Sequence, residues 1–395
     1  MKILLIAPHP FFQERGTPIA VDLLVKTLSG LGHTIDVATF HEGSDVVYPG
    51  VTLHRIPRFP GLGGIRPGFS VKKLICDGFL SFLVLWLVIR RRPDVVHAVE
   101  ESVFIAFFVR FLFGVPYIYD MDSSMPDQII EKSPSAGFLA PVMHRLVRWA
   151  AGAALLVAPV CEALAVVAEG YRPRKTIVLR DVSLLKRPVA SGSSPCAQLG
   201  IKGNCFMYVG NLESYQGIDL LLAAFAQHVS RRPTDALVIV GGPATLVDHY
   251  RDLCAKSGIA ASVHFLGPLP IDLMPALFDD ADVLVSPRIK GSNTPMKVYS
   301  YLDSGKPVLA TRLPTHTQAM DDETSFLADT TPEAFSAGMT ALSDDPALRE
   351  RLARNARELV QSSYSVEAFE RTVYSLYGHV ADELRSKPTH EPQPG

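Results

Sequence analysis

The chain has 395 residues, 48% apolar and 20% charged, with a formal net charge of −2. That length supports two domains of ordinary size, and the near-neutral balance gives no electrostatic footprint for nucleic acid. Cys76, Cys161, Cys196, Cys205 and Cys254 are widely spaced and odd in number. No Cys-x-x-Cys or Cys/His spacing suggests zinc, so reduced, structural thiols in a cytoplasmic protein are expected.

Strand and helix patterns alternate along the whole chain, which predicts an α/β protein with parallel sheets. The N-terminal apolar run is too short for a secretory signal and reads as the first buried strand, Lys2–Ala7. Pro18–Leu31 fits a helix with Ile19, Val21, Leu24, Val25 and Leu28 on one face. Thr34–Thr39, Val51–Ile56, Asp94–Ala98, Tyr117–Met121, Ala154–Ala158 and Thr176–Leu179 complete the strands of the first half. Phe79–Ile89 is intensely apolar but about half a membrane span. Arg110, Gly114 and Pro116 interrupt the other long apolar run, so no transmembrane helix is expected.

Residues 187–203 carry Pro, Ser and Gly with little apolar pattern and read as a linker between domains 1–186 and 204–364. Strands then restart at Phe206–Val209, Leu237–Val240, Val263–Leu266, Val283–Val285 and Val308–Ala310, with helices between them. The last third turns helical, ending in Val366–Leu384, and the proline-bearing tail 386–395 reads as disordered. Open parallel sheets place ligand crevices at strand C-termini, so a cleft between the two domains is the default active site.

Residues 286–312, with the apolar run Ala281–Val285 before them, are the most informative stretch. A buried strand leads into the loop Ser286–Asn293, Thr294 fits an N-cap and Pro295 the first helical position. The helix runs to about Ser304, is stopped by Gly305, and a strand follows from Pro307. Its N-terminus, with Arg288, Lys290 and Lys297 close by, suits a phosphate. An ordinary βαβ unit with solvated basic residues would show the same local pattern.

Other candidates lie at strand ends. The first βα loop lacks Gly-x-Gly-x-x-Gly, which argues against a nicotinamide dinucleotide. Gly16 before Thr17-Pro18 allows close backbone approach at a helix start, or a tight turn without a ligand. Asp120-Met121-Asp122 ends a strand. It can position an acceptor hydroxyl, take its proton, hold a divalent cation, or cap the next helix. Asp127 and Glu131 read as surface residues. In the second half, Tyr208-Val209-Gly210-Asn211 runs on to Gln216-Gly217-Ile218-Asp219, and Asn211 and Gln216 offer uncharged hydrogen bonds to phosphate or sugar. Gly241-Gly242-Pro243 reads as a turn. Leu266 and Leu269, flanking Gly267-Pro268, either hold a nucleobase or pack structurally.

These motifs, in this order, resemble the family-4 glycosyltransferases of the GT-B fold over about residues 2 to 380. The resemblance rests on the Gly16-Thr17 loop, the Tyr208–Leu221 motif, Gly241-Gly242-Pro243, the Phe265-Leu266-Gly267 turn, Thr294–Lys297 and Ser304–Val308. It implies two facing Rossmann-like domains with an inter-domain cleft, a nucleotide-sugar on the C-terminal domain, and an acceptor mostly on the N-terminal one. It also implies a last helix (365–385) that returns to the first domain, transfer with retained anomeric configuration, and no tightly bound metal or cofactor, the nucleotide-sugar being a substrate.

The chain departs from the family where Asn211 replaces an arginine and Gln216 a lysine. Ser292 and Ser300 replace a glutamate pair that meets donor sugar and ribose, and Asp122 stands near a usual histidine. The expected reading is a hexosyltransferase using a UDP- or GDP-sugar and a glycan, lipid-linked or small-molecule acceptor. Asp122, Asp120 and Ser292 would do catalytic work. Gly16, Thr17, Asn211, Gln216, Arg288, Lys290, Asn293, Thr294, Pro295, Met296, Lys297 and Ser300 would hold the donor, and Leu266 and Leu269 its base. A noncatalytic sugar-nucleotide binder and a sugar-nucleotide epimerase are the alternatives.

Residues 55–92 hold eight basic residues, including Arg66, and one acid, Asp77. Apolar sequence beside Lys and Arg is the composition of an interfacial helix on anionic lipid. Phe138–Ala150, with His144, Arg145 and Arg148, is similar. Phe79–Ile89 is apolar all round, which equally fits a buried helix.

Overall fold

The computed structural model describes residues 1–12, 16–59, 61–65, 70–126, 140–185, 196, 198–291 and 293–386. Two compact units divide the chain: Met1–Arg180 with the chain from Phe369, and Asp181–Ala368. Most of the expected linker, the tail after Ser386, Arg66, Asp127, Glu131, Phe138 and Ser292 lie outside the described residues. Where the linker is described it packs: Cys196 is buried, and Leu199 and Ile201 lie against the same core cluster of the second unit. Three apolar side chains in a Pro/Ser-rich stretch are enough to bury it there.

In the first unit the elements run β1 (Lys2–Ala7), α1 (Gly16–Gly30), β2 (Thr34–Thr39), β3 (Val51–Arg55), α2 (Val71–Arg91), β4 (Val95–Val99), α3 (Val103–Phe113), β5 (Tyr117–Met121), α4 (Ala140–Ala153), β6 (Leu156–Pro159) and α5 (Glu162–Gly170). The sheet is parallel, in the order β3-β2-β1-β4-β5-β6. β4 and β5 are buried along their whole length, as strands covered on both faces must be. Thr176–Leu179 is not a strand. It runs extended beside β6, with a single bridge from Thr176 to Val157 and amide bonds from Ile177 to Val157 and Leu179 to Pro159.

The second unit continues with β7 (Cys205–Val209), α6 (Ile218–Val229), β8 (Ala236–Val240), α7 (Ala244–Lys256), β9 (Val263–Gly267), α8 (Met274–Asp280), β10 (Val283–Ser286), α9 (Met296–Asp303), β11 (Val308–Thr311), α10 (Pro314–Thr317), β12 (Phe326–Ala328), α11 (Pro332–Asp344) and α12 (Pro346–Leu359). Its sheet order, β12-β11-β10-β7-β8-β9, repeats the topology of the first. β12 was not expected, because three residues carry no periodic signal. The last helix, α13 (Val366–Arg385), buries Phe369, Val373, Leu376, Tyr377 and Val380. From Phe369 onward it belongs to the first unit.

The strand order of each unit reverses once, between β1 and β4 in one and between β7 and β10 in the other. Such switch points open a crevice at the strand C-termini. In the second unit, glycines let the bordering loops touch. A Cβ on Gly217 (φ 74°) would sit 2.0 Å from the Pro287 carbonyl oxygen, and one on Gly241 (φ 110°) 2.1 Å from that of Gly210. Gly217→Ala is therefore expected to destabilise the protein by about 2–3 kcal/mol, from the left-handed backbone and the collision together. Urea unfolding of wild type and variant checks this, and equal midpoints contradict it.

Candidate functional site

The second unit gathers its candidate residues at the β7/β10 switch point. The loop after β7 carries Asn211 and Gln216, and the loop after β10 carries Arg288, Lys290 and Asn293. Thr294 and Pro295 lead from there into α9. Pro295, not Thr294, is the N-cap (φ −63°, ψ 130°), and Met296 is the first helical residue. A proline side chain accepts no hydrogen bond, so this helix start has no side-chain cap. The first turn has no intrahelical acceptors for the Met296 and Lys297 amides. Thr294, buried, leaves its hydroxyl without a partner.

Lys297 is the electrostatic centre of this place. Its ammonium lies 3.8 Å from the Tyr208 ring centroid and 3.4 Å from Gln216 Oε1. A Cβ on Gly210 would come within 3.0 Å of it. Among the described residues no carboxylate pairs with it. Desolvation, with a further push from Arg288, holds its pKa well below the ordinary lysine value. Arg288 stacks over the Tyr215 ring at 5.2 Å and donates from Nε to the Lys290 carbonyl at 2.6 Å. Tyr215 in turn accepts from Asn211 Nδ2 at 3.2 Å. Buried His316 bridges Ser286 Oγ (2.8 Å) and the Thr311 carbonyl (2.8 Å) beneath the loop. Burial first, and Lys297 and Arg288 as well, lower its pKa to about 4, so at neutral pH it adds no charge. The result is a cationic, partly desolvated helix start with unused donors.

Not every expected donor residue joins that group. Ser300 Oγ accepts from the Leu184 amide at 3.3 Å, beside a Ser183–Asp303 bond of 2.6 Å. Leu266 and Leu269 belong to the β9 edge of the sheet, two strands from β7, and pack against core side chains. Lys290 is exposed. Gly16 and Thr17 open α1 in the first unit.

The first unit has its own polar cluster at strand ends. Asp120, the penultimate residue of β5, is buried and meets His97 Nε2 at 3.1 Å. The other ring nitrogen of His97 lies 2.9 Å from the Tyr377 hydroxyl on α13. Asp122 is half-buried just past the strand. Glu100, which belongs to none of the sequence motifs, follows β4 at the switch point with φ 52°, left-handed backbone that a non-glycine residue adopts only under constraint. Ser123 Oγ donates to it at 2.9 Å. Glu101 pairs with Lys73. The available signal was an acidic pair directly after the apolar run Val95–Val99. Among the described residues no group of three or more His, Cys, Asp or Glu is arranged to hold a metal.

The protein-family model described as "Glycosyl transferases group 1" matches residues 197–359, and "Glycosyl transferase 4-like domain" matches residues 15–180. Together they span both units. The chain belongs to the family-4 glycosyltransferases. D-inositol 3-phosphate glycosyltransferase from Corynebacterium diphtheriae is 31% identical over 198 residues, 48% of this chain and 45% of that one. The protein of that name from Acidothermus cellulolyticus is 32% identical over 200 residues, 48% and 44% of the two chains. The chain thus aligns with about half the length of these curated relatives. Sucrose-phosphate synthase from Thermosynechococcus elongatus superposes with a TM-score of 0.78 at 19% identity, covering 97% of this chain and 99% of that one. Anabaena HepE, solved in complex with UDP, gives 0.74 at 18% identity, covering 96% and 100%. These likenesses establish the GT-B fold.

The buried acids make a stability prediction. Desolvation foremost, then Glu101, pushes Glu100 up to about 8 against the opposing hydrogen bond from Ser123. Desolvation and Glu101 push Asp77 up to about 7. Both carboxyls hold protons more tightly folded than unfolded, so stability falls as pH rises from the ordinary carboxylate range to about 8. Glu100→Gln, neutral throughout, is expected to gain stability relative to wild type between about pH 5 and pH 8.5. Urea midpoints at the two pH values measure this, and a constant difference contradicts it.

Proposed function

We propose that this protein transfers a sugar, with retention of anomeric configuration, from a UDP- or GDP-sugar to a glycan, lipid-linked or small-molecule acceptor. The observation that carries the reading is Lys297: a partly desolvated ammonium without a carboxylate partner, at an uncapped helix start with an unbonded Thr294 hydroxyl. A diphosphate supplies the missing anion. Its oxygens accept from the Met296 and Lys297 amides, the Lys297 ammonium and the Thr294 hydroxyl, and Arg288 lies on the same loop.

The same donors suit catalysis. When the glycosidic bond to the diphosphate breaks, negative charge grows on the leaving oxygen, and fixed donors stabilise it more than they stabilise the bound ground state. No tightly bound metal is needed in this reading. Asn211 and Gln216 add uncharged hydrogen bonds. Leu266 and Leu269 are assigned to the base, and Gly16 and Thr17 to backbone approach in the first unit. In that unit Asp122 receives the acceptor hydroxyl, and Asp120, held by His97, which Tyr377 fixes in turn, orients it.

A second reading has its own support. Ser300, which stands where the family carries a glutamate, spends its hydroxyl on the Leu184 amide. A protein that binds a sugar nucleotide without turnover fits that observation.

Nucleotide release from a panel of UDP- and GDP-sugars separates the two readings. Release from at least one donor is expected; binding by calorimetry without release across the panel favours the noncatalytic reading. Lys297→Ala is expected to weaken UDP or GDP binding about 10- to 100-fold, the loss of a charge-assisted contact. Unchanged affinity removes Lys297 from the site.

A further inference from the structure

Helices α2, α3 and α4 lie side by side in the first unit, with α3 touching both neighbours. Each buries one face in a common core: Cys76, Leu80, Val84 and Leu87 from α2, Ala106 and Val109 from α3, Val147, Ala150 and Ala151 from α4. The opposite faces are apolar too. Phe82, Trp86 and Ile89 are 74%, 52% and 63% exposed at i, i+4, i+7 spacing on α2. Val142, Leu146 and Trp149 repeat that spacing on α4, and Phe108, Phe111 and Leu112 project from α3 between them. A chain in water does not gain by presenting three neighbouring apolar stripes, so such a patch marks a contact surface.

Its charge says what it contacts. The three helices contain one acid, Asp77, which is half-buried near Lys73 and Glu101. Lys72, Arg90, Arg145 and Arg148 are exposed on the same helices, Arg92 follows directly, and Arg91 is paired with Asp36 of β2 at 3.4 Å. Arg145 lies over the Trp149 ring at 5.4 Å. Both tryptophans of the chain, Trp86 and Trp149, stand half-exposed here. Aromatic and aliphatic side chains flanked by guanidinium groups, with no exposed acid among the described residues of the three helices, match the interface of an anionic bilayer. No helix of the described residues is long and apolar enough to cross a membrane, so the contact is peripheral.

We propose that the α2–α3–α4 face docks on an anionic phospholipid surface, with Phe82, Trp86, Phe111 and Trp149 among the acyl chains and Arg90, Arg145 and Arg148 at the phosphates. The inference rests on the lipid-linked acceptor reading for its purpose. It deepens that reading by naming the surface that brings the protein to such an acceptor.

The test uses the full chain with vesicles of phosphatidylcholine alone or mixed with phosphatidylglycerol. Because both tryptophans are on the face, intrinsic fluorescence reports insertion. The expected result is a blue shift and co-flotation with the mixed vesicles, much weaker with neutral ones and weakened by added salt. Arg145→Gln with Arg148→Gln is expected to lower the partition coefficient on the order of tenfold or more. Phe111→Ser, at a 79% exposed position, is expected to lower it about tenfold. Nucleotide release in solution by both variants should match wild type, so failure of docking and failure of the transferase reading appear in different assays. Emission unchanged by either vesicle overturns the proposal. So does equal binding to both vesicles, or a blue shift that follows protein concentration without lipid, the mark of a second copy on the face.

Discussion

A desolvated ammonium at the start of a short helix is the constraint on which the second unit's site depends. Lys297 is held by an aromatic ring and a neutral amide oxygen, neither of which cancels its charge. Arg288 and the positive end of α9 add charge of the same sign. A fold that needed only stability would place a carboxylate there or let the lysine reach water. The switch-point glycines Gly217 and Gly241 serve the same arrangement, because only residues without a side chain let the neighbouring loops approach so closely.

The first unit shows the complementary pattern. Its strand ends collect carboxyl groups rather than cations, and desolvation keeps Glu100 there, and Asp77 on α2, inclined to hold protons. Asp120 differs from them in having His97 as a direct partner, and His97 is fixed in turn by Tyr377 on the last helix of the chain. Residues 280 positions apart in sequence therefore set the orientation of one strand-end carboxylate. The outer face of the same unit, on α2, α3 and α4, carries its apolar and basic surface away from the sheet.

Most of the fold was legible because parallel strands buried on both faces leave continuous apolar runs, as the central strands of both sheets do. The exceptions are physical. β12 is three residues long, below any periodic signal, and Thr176–Leu179 has strand composition but only one bridge to an edge. The helix start at Thr294–Lys297 was visible to within one residue, since Pro295 fits either the cap or the first turn. Lys297's lack of a counter-charge was not visible, because it depends on what Gly210, Tyr208 and Gln216 bring from another loop. Glu100 shows in sequence only as half of an acidic pair after a strand, because its left-handed backbone has no local mark. The apolar run of α2 fits a buried helix and an interfacial one equally in sequence, and the structure shows two apolar faces with different surroundings.

Lys297 is proposed to stand where a diphosphate binds. The most direct measurement is the titration of its ε-ammonium by NMR of carbon-labelled lysine, with and without UDP or GDP. In the free protein a midpoint well below that of ordinary lysines is expected, with a marked rise when the nucleotide supplies the anion. A midpoint at the ordinary lysine value, or one that saturating nucleotide leaves unmoved, would contradict it.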